Sequence, residues 1–131
     1  RAIGIGECAG VVVDLIATLF LESEEKITNA KEALHNKVYS NDIYHAYSAM
    51  INAAKALLLA ENEKTNTQAG IIRQFDELFV SSGRIELEHS FSELIYQIKK
   101  FGPTEHFAIK YITRAEQFVA ISKALLIEEV A

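Results

Sequence analysis

Hydrophobic positions recur at three- and four-residue steps along nearly the whole chain, the spacing that stacks side chains on one face of an α-helix. Between Ala9 and Asn36, Val12, Ile16, Leu19, Ile27, Ala30 and Leu34 share one face, while Glu22, Glu24, Glu25, Lys26 and Lys31 sit mostly on the other. The pattern predicts a first, core-facing amphipathic helix. Ser40-Asn41-Asp42 then offers side-chain oxygens suited to a helix N-cap, and a second helix is expected to bury Ile43, Tyr44, Tyr47, Met50, Ile51, Ala54, Leu57 and Leu58. After the polar stretch from Glu61 to Gln68, a shorter third helix is marked by Ile71, Ile72, Phe75, Leu78 and Phe79. Ser81-Ser82-Gly83 ends it, because Gly readily takes the left-handed conformation that closes a helix. A fourth helix carries Leu87, Phe91, Leu94, Ile95 and Ile98 and stops at Phe101-Gly102-Pro103. A fifth shows Phe107, Tyr111, Ala115, Phe118, Ser122, Leu125 and Leu126 on one stripe. The expected fold is all-α, a five-helix up-and-down bundle.

Composition narrows this picture. A chain of 131 residues, 50% hydrophobic with six Gly and one Pro, is the size of one domain and argues against a sandwich, a barrel or a disordered tail. At this length a core needs no disulfide or structural metal, and one cysteine could not build a disulfide framework. The net charge of -5 makes non-specific attraction to nucleic acid or an anionic membrane an unlikely default. The longest apolar run, Ala9 to Leu21, contains Asp14 and is shorter than the ~20 residues of a spanning helix. A lone thiol and no signal-peptide pattern suit the cytoplasm. The start at Arg1 rather than Met suggests that residues 1–8 are a junction from a longer polypeptide and residues 9–131 the helical domain.

The second and third helices run Tyr44-His45-Ala46-Tyr47-Ser48-Ala49-Met50 into Ala56-Leu57-Leu58, then Gly70-Ile71-Ile72, Phe75 and Phe79-Val80. This resembles the HEPN family, the higher-eukaryote and prokaryote nucleotide-binding domains. The resemblance implies a helical bundle, often a homodimer, whose members bind nucleotides, cleave RNA as toxins, or serve as accessory domains. It also implies where catalysis would sit: active members carry an Arg followed after four to six residues by a His, near the start of the last helices. Arg84 and His89 satisfy the spacing but lie between the third and fourth helices. Lys100 and His106 lie near the expected place, with Lys for Arg, and the position before the third-helix Gly that often holds a His is Gln68. Lys is a point charge and lacks the bidentate fork of Arg. The segment Gly4-Ile5-Gly6-Glu7-Cys8-Ala9-Gly10-Val11 resembles the junction at which some nitrite or sulfite reductase-like polypeptides enter an appended helical domain. That second resemblance implies siroheme and an iron–sulfur cluster in a parent polypeptide, and no cofactor in this domain.

Other constellations are weighed against plainer readings. Glu32/His35 and Glu86/His89 have the Glu-x-x-His spacing of a di-iron bundle, but Glu32 is about 200° from core-facing Leu34 and points away from the core. Glu61 and Glu116 have no inward register to complete such a site, so no metal is expected. Cys8 has no second thiol to share a cluster with. His45, one residue from the buried side of the second helix, reads as a partly buried, hydrogen-bonded imidazole. Tyr44 and Tyr47 could stack on a base or pack in the core or a dimer contact. Lys99, Lys100, Lys110 and Arg114 straddle the Gly102-Pro103 turn, where a phosphate could meet side-chain charge and free helix N–H groups together. The resulting expectation is a non-catalytic HEPN-like binding or dimerisation module attached to a larger protein, with a nucleotide or phosphate as its ligand. The alternatives are a metal-independent RNase of the HEPN toxin type and a nucleotide-binding domain without chemistry.

Overall fold

A computed structural model describes residues 7–130 of the chain, with side chains from 13 to 128. Among the described residues the elements are α1 (Glu7–His35), α2 (Tyr39–Ala60), α3 (Gln68–Phe75), a π-helical turn (Asp76–Val80), α4 (Phe91–Lys100) and α5 (Glu105–Val130), with no strand. No described helix is long and apolar enough to cross a membrane. The Gly4–Gly6 part of the sequence junction lies outside the described residues, and the side chains of Cys8 and Val12 lie outside the described side chains.

The three long helices form the frame. On α1, Ile16, Phe20, Ser23, Ile27, Ala30 and Ala33 are buried at steps of three and four, as its periodicity predicts. A short turn in which Lys37 takes a left-handed φ of 63° reverses the chain into α2. Ala46, Ala49, Ala53 and Ala56 on α2 are all fully buried, and such small side chains let helix backbones approach closely. The approach is close enough for the Ser23 hydroxyl to donate to the Ala49 carbonyl across α1 and α2. Lys31 pairs with Glu116 and Lys123 with Glu24, so α5 runs antiparallel to α1.

The second half of the core is aromatic. Phe75, Phe79, Phe91 and Phe118 form a cluster with ring centroids 4.7 to 5.2 Å apart, contributed by α3, the π turn, α4 and α5. Such pairs add about 0.5–1.5 kcal/mol each beyond the area they bury. Gly70 opens α3 under the preceding polar segment: a Cβ there would lie 2.5 Å from Thr65 Cγ2 and 2.8 Å from Thr67 Oγ1. Gly83, at a φ of +83°, turns the chain after the π turn.

Three local expectations need correction. Ser40-Asn41-Asp42 does not cap α2; the helix starts earlier, at Tyr39 after Val38, because the left-handed Lys37 has already made the turn. Asp42 is therefore inside the helix and fully buried. Tyr44 is 59% exposed rather than core-facing, since α2 turns its alanine stripe inward instead. Leu87 is not on α4, which begins at Phe91; Ser90 and Glu93 close a capping box there, and the Asp76 carboxylate accepts from the Phe91 and Ser92 N–H groups at 2.6 and 3.0 Å. With those donors satisfied, residues 84–89 form an irregular connection.

Candidate functional site

The sequence-nominated residues gather around α4, and α4 divides them. The nearest-spaced pair does not act as a pair. Arg84 donates to Glu61 Oε2 at 3.1 Å, and its guanidinium lies 4.5 Å over the Phe79 ring, which fastens the connection to the end of α2. His89, five residues on, lines a cleft of about 190 Å³ of which Arg84 is not part.

That cleft lies between residues 86–89, α4 and α5. Leu94, Phe118 and Ile121 supply apolar wall, and Glu86, Glu88, His89, Gln97, Arg114 and Gln117 supply polar groups. Arg114 Nη1 donates to Gln97 Oε1 at 2.8 Å, so the guanidinium is held between the two helices. His89 Nε2 is 3.6 Å from Glu88 Oε1. A histidine and an arginine thus share a concave surface although 25 positions separate them, a juxtaposition that no local motif announces.

On the other flank of α4, Lys99 Nζ stands 4.5 Å over the ring of Tyr96. Tyr47 is half-buried and donates its hydroxyl to Gln68 Oε1, tying α2 to the first residue of α3. Burial, then the neighbouring Tyr96 and Tyr44 hydroxyls, raise the Tyr47 pKa above the usual tyrosine value. Tyr44 projects from α2 with its ring 6.1 Å from that of His45. The His45 imidazole is half-buried with no partner for Nδ1, and burial followed by the charge of Lys26 lowers its pKa. Its nearby charge is that of Lys26 on α1.

Between the flanks is the α4–α5 turn. Lys100, Phe101 and His106 are all exposed on it. Phe101 stacks on Phe107 at 5.1 Å, and Thr104 Oγ1 accepts from the Phe107 N–H at 3.2 Å, which caps α5 and leaves His106 in its first turn. Burial, then the nearby carboxylates of Glu105 and Asp42, raise the pKa of the Tyr39 hydroxyl. His106, Lys110 and Arg114 follow at four-residue steps and so line one side of α5. The four basic residues nominated for phosphate are spread out: Lys99 over Tyr96, Lys100 on the turn, Lys110 on the side of α5 and Arg114 in the cleft.

Of the acidic groups considered for a metal, Glu61 pairs with Arg84 and Glu116 with Lys31. Among the described residues no three His, Cys, Asp or Glu side chains cluster as a metal would require.

Comparison with known proteins supplies the lineage. The chain is 37% identical over 120 residues to a Methanocaldococcus jannaschii protein named as a putative toxin, an alignment covering 84% of this chain and 88% of the relative. It is also 41% identical over 64 residues to a UPF0332 protein of Pyrococcus horikoshii, covering 49% of this chain and 45% of that one. Neither name points to a nitrite or sulfite reductase, and the expectation of a siroheme-bearing parent finds no support in them. The model of the HEPN domain matches residues 16–125, from within α1 to within α5, and the chain belongs to the HEPN domain family.

Proposed function

We propose that this chain is an RNA-cleaving protein of the HEPN toxin type, with its chemistry at the α4–α5 turn. The observation that carries the reading is the 37% identity to a relative named as a putative toxin over nearly the whole of both chains. The geometry supports it by leaving the imidazole of His106 exposed in the first turn of α5, across the α4–α5 turn from exposed Lys100, the last residue of α4. The first turn of a helix is favourable ground for a phosphate, because its N–H groups have no partners within the helix.

Acid–base chemistry suffices there. His106 takes the proton of a ribose 2′-hydroxyl, whose oxygen attacks the adjacent phosphorus. The bond from phosphorus to the 5′-oxygen breaks, and that oxygen takes a proton from the imidazolium, leaving a 2′,3′-cyclic phosphate and a 5′-hydroxyl end. Lys100 offsets the charge that builds on the phosphoryl oxygens. The exposed ring of Tyr44 and the Lys99-bearing ring of Tyr96 give neighbouring bases a surface to stack on.

One feature favours a second reading, a module that binds nucleotide or pairs with itself without chemistry: near the place where the family resemblance leads one to expect an arginine, this sequence has Lys100. Exposed Val13 and Leu21, about 80° apart around α1, would suit self-pairing, which sedimentation over a range of concentrations tests. Incubation with labelled RNA separates the two. Wild type should cut, His106→Ala should lose about 100-fold or more, and Lys100→Arg should cut at least as fast as wild type. No cleavage by wild type or Lys100→Arg refutes the catalytic reading. Loss on His89→Ala but not His106→Ala moves the chemistry to the cleft.

A further inference from the structure

We infer that the cleft between residues 86–89, α4 and α5 is a subsite for one nucleobase of a single-stranded RNA, and that it prefers bases bearing an exocyclic amino group. The inference rests on RNA being presented to the α4–α5 turn, and its test is separable from that of cleavage.

Position comes first. Arg114 lies eight residues beyond His106 on the same side of α5, about 12 Å along the axis, with Lys110 midway. A strand held at His106 can therefore follow one positive edge into the cleft. Charge then decides what enters. The lining holds two carboxylates, Glu86 and Glu88, against the guanidinium of Arg114, which is already bonded to Gln97, and the imidazole of His89, whose Nε2 is 3.6 Å from Glu88 Oε1. A phosphate is disfavoured in such surroundings, whereas an uncharged ring is not. The remaining chemistry suits a base. Leu94, Phe118 and Ile121 offer apolar wall to a planar ring. Gln97 keeps its amide N–H groups after its oxygen has bonded Arg114, so it can donate to a ring nitrogen or carbonyl, and Gln117 can both donate and accept. The carboxylates accept from the exocyclic amino groups of adenine, cytosine or guanine, which uracil lacks. Size agrees: about 190 Å³ is below the roughly 300 Å³ at which pockets hold a whole drug-sized ligand, so one ring fits and its sugar and phosphate stay outside.

The test uses the full chain carrying His106→Ala, so that RNA survives, and short fluorescent oligoadenylate, oligocytidylate and oligouridylate read by anisotropy at several salt concentrations. Oligoadenylate and oligocytidylate should bind at least about fivefold more tightly than oligouridylate. Adding Ile121→Trp, which fills the mouth of the cleft, should weaken oligoadenylate about tenfold and leave the salt dependence unchanged, because a base and not a phosphate has been displaced. Adding Lys110→Gln should weaken all three alike and reduce the salt slope by about one. Glu86→Gln with Glu88→Gln, two exposed substitutions that disturb no packing, should narrow the gap between oligoadenylate and oligouridylate. Equal affinity for the three oligomers, no effect of Ile121→Trp, or no binding of any oligomer overturns the subsite. Preference for amino-bearing bases in a protein that cuts no RNA leaves the subsite standing and removes the catalytic reading. Cleavage by wild type without that preference does the reverse.

Discussion

Replacing Asp42 with Asn should stabilise this protein at neutral pH and leave it unchanged in acid. Asp42 is fully buried, and neither carboxylate oxygen has a hydrogen-bond partner. Burial disfavours the charged form and pushes its pKa from 3.8 up to about 6. Below pH 3.8 the carboxyl is protonated in both folded and unfolded chains and has no linkage effect. As pH rises from 3.8 to about 6, the unfolded chain releases the proton while the folded one retains it, so folded protein binds more protons and stability falls. Above about pH 6 the cost is complete, and a shift of about two units sets it at about 3 kcal/mol at most. Asn keeps the shape and removes the charge, although its amide also goes without partners, so the expected net gain at pH 7.5 is about 1–3 kcal/mol. Urea unfolding followed by circular dichroism, run from pH 3.5 to 7.5 on both proteins, measures it. The gap between the two curves should open between pH 4 and 6.5 and then stay constant. A gap independent of pH would show that Asp42 titrates alike in the folded and unfolded chains, and an Asn variant less stable at pH 7.5 would show that the fold favours the charged carboxylate; either result would refute the argument.

Four more single substitutions can be checked by the same unfolding measurement. Asp76→Ala removes the carboxylate that accepts from the first two N–H groups of α4 and should cost about 2–3 kcal/mol, beyond what the intact Ser90 capping box can restore. Gly70→Ala drives a methyl group against Thr65, whose hydroxyl is itself held by Gln74, and should cost about 1–3 kcal/mol; adding Thr65→Ser removes the closest atom and should recover part of it. Tyr111→Phe deletes the buried hydroxyl that donates to the Ile95 carbonyl at 3.0 Å and should cost about 1 kcal/mol, whereas Lys31→Ala, at an exposed ion pair, should change stability by less than that.

The helices and their inner faces were legible because they depend on periodicity, which a sequence displays directly. Phe107, Tyr111, Ala115, Phe118 and Ser122 are buried on α5 at the spacing that predicts it. The breaks at Gly83 and Gly102-Pro103 follow equally from backbone chemistry. Misreadings occurred where a residue type has one common use and a different local one. Asp42 looks like a cap, but Lys37 had already reversed the chain. Leu87 fits the period of α4, yet the cap supplied by Asp76, 15 positions before Phe91, fixes where that helix starts. The cleft was illegible for the same reason. Arg84 and His89 share a spacing but not a cleft, while His89 and Arg114 share no spacing and line the same one. The one clue was the pairing of Lys110 and Arg114 on a single side of α5, which pointed along the helix without showing what stood opposite.

How α4 is held bears on the chemistry assigned beside it. With ten residues it is below the length at which a helix is stable alone, so its position must come from its ties. Asp76 and the Ser90–Glu93 box fix its start, the Tyr111 hydroxyl takes the Ile95 carbonyl at its middle, and Gln97 bonds Arg114 a half-turn further on. Phe101 stacking on Phe107 then closes the exit. These ties come from the π turn and from α5, so Lys100 and His106 are located by the same framework that shapes the cleft and carries Tyr96 and Lys99. The helix that ends at Lys100 and the helix that begins before His106 are thus tied to each other through the Tyr111–Ile95, Arg114–Gln97 and Phe101–Phe107 contacts. In the proposed site, the charge-bearing group at position 100 stands on a helix held by these ties, which is why Lys100→Arg is the informative substitution.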